Sequence, residues 1–493
     1  MKKIVYHSLT ALALTLSMGS CNSDFMETSP TDKIDSEQAT QTMDNLQTLL
    51  SGTHRSLYGY WGYDKPGESG MNMHKDILGD DVVMPSRGNG WFVNEYGWLR
   101  HIDPDSGLPY FGFEYYYSMI SAANTILAYI DEVAGDDATR NQIKGEALVF
   151  RAHSHFQMVQ LYGKRYVAGQ DNSQPGVPYR VEANMEPQAR NTVEEVYKMA
   201  NEDIDQAIEL LASYNRKSIN HFSQCVAYGI KARMALVQEN WPVAIEAATK
   251  ALETARGEGL ELQSGESLLE GFNNVERNRE WMWGSIMTTE QDLSFTHFFS
   301  YMSWNFNSTP VRKSTRCIKD NLYAKISPTD IRVKWWDPTG EAEVPLSSYS
   351  KWKYQNRKFT SQSAGSAVND IVYMRMSEMY LIKAEAEARS GKEDAARQTL
   401  LEWMVTRDPE YKLSTNSGQA LIDEVWTNRR IELWGEGFSF TDLKRLNQNM
   451  DRRNTNHDEA VCTIMYVPAG DSRWQFKIPK SEMNVNPLME QND

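Results

Sequence analysis

Apolar positions along the chain recur at two spacings, and each predicts a different kind of element. Met43, Leu46, Leu49 and Leu50 follow one another at three and four positions and lead toward Leu57, which predicts a helix after Ser36. The same spacing predicts a helix over about 113–134 (Met119, Ala122, Ala123, Ile126, Ile130). It predicts another over 138–162, with Ala147, Phe150, His153 (or Ser154) and Met158 along one face, and a fourth over 192–213. Residues 257–360 break the pattern. Short extended runs such as "EWMWGSI" (Glu280–Ile286) alternate there with Asn, Ser, Gly and Pro. Loop-rich stretches of that length commonly carry function.

Two later segments share an internal arrangement. Tyr228, Ala232, Ala244, Ala248 and Ala251 fall at the spacings of a tetratricopeptide repeat, in which small residues let two antiparallel helices approach closely. Tyr380, Ala384, Gly391, Ala396 and Leu400 repeat the arrangement, with Gly391 in the inter-helix turn. The expected fold is therefore mainly α: degenerate tetratricopeptide-like helical pairs forming a scaffold, with long aromatic-rich loops and a few short strands. The expected organisation is a leader over 1–20, a tether over 21–35, a helical half with binding loops over 36–256, the insertion over 257–360 and a second helical half over 361–493. No Pro/Ser/Gly linker divides 36–493, so it is expected to pack as one body.

The leader carries its own signal. Met1-Lys2-Lys3 is followed by an apolar run from about Leu9 to Met18, far short of the roughly 20 residues that span a bilayer. Gly19 and Ser20 then precede Cys21, which resembles the lipobox of bacterial lipoproteins, with Met18 where leucine is usual. That resemblance implies acylation of Cys21 and anchoring by lipid without a membrane span. The other cysteines, Cys225, Cys317 and Cys462, form no metal or disulfide spacing and are expected to be buried small hydrophobes. The chain's net charge of −15 becomes −17 without Lys2 and Lys3. That balance, with no basic stripe, argues against nucleic acid and against adhesion to an anionic lipid surface.

Longer motifs point to a family. "YMRMSEMYLIKAEAEARSG" (Tyr373–Gly391), "NRRIELWGEGFSFTDLKRL" (Asn428–Leu446) and "FKIPKSEMNVNPLMEQND" (Phe476–Asp493) resemble signatures of the SusD (RagB/SusD) family. Asn428 and Leu446 replace that family's usual glutamate and tryptophan. "CNSDFMETSPTDKI", "AANTIL" (Ala122–Leu127) and "GEALVFRAHSHFQMVQLYG" (Gly145–Gly163) extend the resemblance to nearly the whole mature chain. It implies a SusD-like fold and a lipoprotein at the outer membrane, facing the exterior. It also implies a non-enzyme that hands glycan or another nutrient to a SusC-type TonB-dependent transporter.

Candidate chemistry is weighed against packing. His153 and His155 lie about 200° apart on a helix, cannot converge on a metal, and are expected to pack. Glu432, Glu436, Asp442, Arg429, Arg430 and Arg445 read as an ion-pair network between helices. No GxSxG, P-loop, HExxH or GxGxxG occurs, and neither catalytic residues, a metal site nor a cofactor is expected. The aromatic loops are better candidates, because a sugar's C–H face lies on an aromatic ring while its hydroxyls need fixed polar partners. In "DILGDDVVMPSRGNGWFVNEYGWLR" (Asp76–Arg100) these are Trp91, Tyr96 and Trp98 with Arg87, Asn89 and Asn94. Trp304 and Asn305 form a second candidate wall, Trp61 and Tyr63 are intermediate, and Trp281, Trp283, Trp335 and Trp336 are expected in the core. Two alternatives stay open. A helical-toroid glycoside hydrolase would draw its carboxylates from Asp76, Asp80, Asp81 and Glu95. A repeat scaffold would bind only a protein partner.

Overall fold

The computed structural model describes residues 40–493; the leader, Cys21 and the tether lie outside the described residues. Helix α1 (Met43–Ser56) is capped by Thr42, whose hydroxyl accepts the Asn45 amide at 3.2 Å. Next come α2 (Gly67–Leu78), α3 (Gly107–Tyr129) and α4 (Asp137–Tyr162). Helix α5 (Val193–Leu210) opens on a capping box in which the Thr192 side chain accepts the Glu195 amide and Glu195 accepts the Thr192 amide. Helices α6 (Gln224–Val237) and α7 (Trp241–Gly257) are joined by three residues and so run antiparallel. The second half supplies α8 (Met376–Arg389), α9 (Glu393–Met404), α10 (Gln419–Glu432) and α11 (Ser439–Arg445).

From α3 to α9 each helix packs on the next, and α7 meets α8 across the whole insertion. Both repeat-like segments are helical pairs. Ala232, Ala244, Ala248 and Ala251 in the first, and Ala384, Ala396 and Leu400 in the second, are buried, and Gly391 takes φ +76° between α8 and α9. One buried apolar cluster runs from Met43 to Met489, built from these helix faces.

The insertion is pinned at its neck. Strand β2 (Trp281–Ser285) pairs antiparallel with β6 (Ile371–Arg375), from Trp281↔Arg375 to Ser285↔Ile371, with an irregularity in register around Trp283. A small sheet joins the insertion to the first half, in the order β1 (Val82–Val83), β3 (Cys317–Ile318), β5 (Gln355–Asn356), β4 (Trp336–Asp337). Trp281, Trp283, Trp335 and Trp336 are all buried, and the described cysteines are free and buried.

Ion pairs lock the second half to the insertion. The Glu432 carboxylate accepts from Arg375 and Arg407, both at 2.8 Å, and from Arg332 at 3.3 Å; Glu436 accepts from Arg375 at 2.7 Å and Lys358 at 2.6 Å. Arg429 and Arg445 each reach Asp442 at 2.7 Å, and Arg445 also holds Glu385 at 2.8 Å. The charged groups of the sequence motif are thus all paired. His153 and His155 diverge as their spacing requires: His153 packs edge-on to Trp283, and His155 stacks on Tyr179 with ring centroids 3.7 Å apart.

Candidate functional site

Three segments remote in sequence meet beside the insertion. The first is a tight loop after α1, closed by the bridge Tyr60↔Pro66 and by bonds from the Trp61 amide to the Lys65 carbonyl (3.2 Å) and from the Lys65 amide to the Gly62 carbonyl (3.1 Å). It holds two tyrosines outward, Tyr60 55% and Tyr63 64% exposed. The second follows β1. Gly88 and Gly90 take positive φ, the Gly90 amide donates to the Arg87 carbonyl, and the Ser86 and Ser314 hydroxyls donate to the carbonyls of Lys313 and Ser86. The third is the helical turn Phe299–Met302 of the insertion.

Trp91 is the hub. Its half-buried indole lies 6.2 Å from the Tyr63 ring and 6.1 Å from Tyr301, and Tyr63 in turn meets Tyr60 edge-on at 6.1 Å. The Tyr301 hydroxyl donates to the Tyr63 carbonyl, fastening insertion to loop. The left-handed backbone at Phe92 (φ 64°) sends the next ring inward, against Tyr301 and His74, while Trp91 stays at the surface. Arg87, Asn89 and Asn94 are exposed on the same segment. The Arg87 guanidinium donates to the Ala460 carbonyl at 3.3 Å. The result is a ridge of rings carried by a segment with exposed amide side chains, residue types suited to stacking on a sugar's C–H face and bonding its hydroxyls.

A buried charge cluster supports this ridge from below. Arg100 donates to Asp64 at 3.0 Å and to Glu95 at 2.5 Å, tying the tyrosine loop to the turn after Trp91. His74 donates through Nε2 to the Asp64 carbonyl at 3.1 Å. Burial pushes the His74 pKa down against the attraction of Glu95 and Asp64. Burial would raise the Asp64 carboxyl, but attraction to His74, Arg100 and Lys65 outweighs it and lowers the pKa. Asp64, His74 and Glu95 lie close enough to ligate an ion, yet the Arg100 guanidinium already bridges both carboxylates. They form an anchor rather than a metal centre.

Several expected contacts fall elsewhere. Trp98 is fully buried: its backbone turns left-handed at φ 57°, its indole donates to the Leu78 carbonyl at 2.8 Å, and Trp474 packs edge-on at 4.9 Å. Tyr96 is also buried, with its hydroxyl on His457 and the Arg452 guanidinium 4.2 Å above its ring. Both belong to the core. Asn305 clasps the chain, since its amide donates to the Ser361 carbonyl and accepts the Ser361 amide, both at 2.8 Å. Trp304 is half-buried, with Arg357 4.2 Å over its ring and its indole N–H on Thr360. Trp61 packs edge-on against Tyr115 and donates to the Ser56 carbonyl, so it supports the tyrosine loop. Of the expected residues, Trp91, Arg87, Asn89 and Asn94 stay together at the surface. Tyr60 joins the ridge without having been expected there, although "YGYWGYDKPG" carries the same aromatic–glycine signature as the Trp91 loop; Tyr301 opens "YMSWNF", the stretch of the second candidate wall.

The acidic residues beside the ridge are engaged. Asp76 accepts the backbone amides of Gly437 (2.8 Å) and Ser439 (3.0 Å), and burial raises its pKa to about 7. Asp80 pairs with Lys319 at 2.7 Å and Asp81 with Arg430 at 2.5 Å. A cavity of about 620 Å³ elsewhere is walled by Lys164, Asn172, Lys444 and Trp474. Its buried amine, Lys444, donates to the Gln160 and Gly163 carbonyls at the C-terminal end of α4, and its indole is buried. It offers no exposed ring for stacking.

The fold is a helical scaffold that displays aromatic loops from its first half and its insertion. The chain belongs to the SusD family: residues 290–493 match the SusD family itself, and residues 24–236 match a SusD-like family described as "Starch-binding associating with outer membrane". It is similar to a SusD-like protein of Formosa agariphila, at 22% identity over 92% of this chain and 93% of the relative. Among solved structures it resembles a SusD-like carbohydrate binding protein of Bacteroides vulgatus (TM-score 0.79, 24% identity, 91% of this chain and 97% of that one). It also resembles a SusD superfamily protein of Bacteroides thetaiotaomicron (TM-score 0.78, 22% identity, 92% and 100%). No helix among the described residues is long and apolar enough to cross a membrane.

Proposed function

We propose that this chain is a surface lipoprotein of the outer membrane, anchored through an acylated Cys21. In this reading it captures an oligosaccharide on the Tyr60–Tyr63–Trp91 ridge and delivers it to a SusC-type TonB-dependent transporter. The observation that carries the reading is the exposed aromatic ridge assembled from three segments, with Arg87, Asn89 and Asn94 exposed on the segment that carries Trp91. Binding is favoured over hydrolysis because Asp76, Asp80, Asp81 and Glu95 are each engaged by a backbone amide, lysine or arginine. A glycosidase needs two carboxylates facing an open bond.

The experiment is a glycan panel presented to residues 22–493, followed by gentle detergent extraction of the native lipoprotein. Binding of an oligosaccharide without its cleavage, and recovery of a TonB-dependent barrel, are expected. Cleavage of the bound glycan would overturn the non-catalytic reading, and repeated recovery of the lipoprotein alone would overturn the transporter complex.

A further inference from the structure

In the last turn of the helix that leads into the tyrosine loop, a second convergence of side chains has a different chemistry. His54 sits in the last turn of α1, Glu146 on α4, and His221 in the segment leading into α6. His54 Nε2 lies 2.6 Å from Glu146 Oε2, His221 Nδ1 lies 3.2 Å from the same oxygen, and all three ligand atoms fall within 4.8 Å of one another. We propose that His54, Glu146 and His221 form a binding site for a divalent transition ion of the zinc class.

The donor set argues for that class. Two imidazole nitrogens and one carboxylate oxygen suit a borderline ion, and three protein ligands leave a fourth position for water. Bonds of about 2.0–2.1 Å in a tetrahedral site place ligand atoms about 3.3 Å apart. The His221 edge already has that spacing. The His54 edge is a hydrogen bond, and it opens by about 0.7 Å to admit the ion. The carboxylate is held in place by two donors. Gln142 donates to its other oxygen at 2.7 Å, and the Phe222 amide donates to Oε2 at 3.0 Å. Such outer contacts orient a ligand and raise its affinity. Entry is from the His221 side, whose side chain is 27% exposed while the Glu146 side chain is fully buried.

Among the described residues no lysine or arginine is paired with Glu146, in contrast to the cluster under the ridge. The nearby Arg216 is engaged by Glu258 at 2.7 Å and by the His221 carbonyl. Binding exchanges protons for the ion: each imidazole nitrogen that now faces Glu146 Oε2 gives up its N–H, to the ring's other nitrogen by tautomerisation or, from an imidazolium, to water, so that both histidines ligate in the neutral form. The bound ion would cross-link α1, α4 and the segment before α6, a few residues ahead of Tyr60 and Tyr63.

The test uses residues 22–493 without a polyhistidine tag, stripped with chelator and titrated with Co²⁺ and with Zn²⁺. One equivalent of Co²⁺ is expected to give the intense visible bands of four-coordinate cobalt, and Zn²⁺ to raise the melting temperature by several degrees. His221→Ala, at the rim, should fold with nearly the wild-type ion-free melting temperature and lose both effects. Weak, featureless cobalt spectra in the wild-type chain would overturn the proposal whatever the variant does. Retention of the bands or of the zinc shift in His221→Ala would overturn it as well.

Discussion

Replacing Tyr63 by alanine removes a ring that is 64% exposed, and the same change at Trp98 removes one that is fully buried. The two substitutions therefore separate recognition from folding. Roughly a third of a tyrosine surface of about 200 Å² is covered by protein; at about 25 cal/mol per Å² its loss costs under about 2 kcal/mol of stability. Trp98→Ala empties a full core site, worth about 3–5 kcal/mol, and leaves the buried Leu78 carbonyl without its indole donor. Binding should respond in the opposite order. An aromatic anchor in a recognition site costs about 2 kcal/mol or more on truncation, about thirtyfold in affinity. Calorimetric titration with the glycan selected from the panel, beside urea denaturation, measures both quantities on the same variants. Tyr63→Ala and Trp91→Ala should weaken binding at least tenfold with a small shift in the urea midpoint, and Trp98→Ala should lower the midpoint while the folded fraction still binds. Unchanged affinity in both surface variants would remove the ridge as the ligand wall and refute the reasoning.

Two further outcomes follow from the charges and the leader. Burial would raise the Glu385 carboxyl, but Arg445, Arg389 and Arg429 overcome it and hold the pKa at about 2, below an unfolded value near 4.5. A depressed carboxylate stabilises the fold above its unfolded pKa, so about 3 kcal/mol should be lost as pH falls from about 4.5 toward 2; urea midpoints that stay flat over that window in wild type would contradict this. Cys21→Ala should abolish incorporation of labelled fatty acid and release the protein from the outer membrane, and absence of label from the wild-type protein would disprove the lipid anchor.

Much of the scaffold was legible because helix formation is local. The 3.6-residue spacing of Met119, Ala123 and Ile126 lies within α3, with Ile130 at its C-cap, and the predicted 138–162 helix coincides with α4 to within a residue. Helix α3 starts earlier than the predicted 113–134 because Ser106, the cap, precedes an aromatic run, "GLPYFGFEYYY", that carries no clear period. Pairing of Glu432, Glu436 and Asp442 with arginines was also readable, since buried carboxylates need partners; which arginine serves which carboxylate was not.

The ridge divides differently. The sequence by itself determined that residues 86–98 form a glycine-bent loop rich in aromatic and amide side chains, because those residue types turn a chain and suit a sugar wherever they lie. Tertiary structure alone decided which rings face water. Trp91 and Trp98 sit in similar local composition, yet left-handed backbone at Phe92 and at Trp98 itself, with the Leu78 carbonyl and Trp474 waiting inside, leaves the first at the surface and takes the second into the core. The same holds for Tyr63, whose carbonyl is fastened to Tyr301 from 238 positions away. Side-chain burial is a property of what the rest of the chain brings alongside, and a periodicity of three or four residues carries no record of partners that distant.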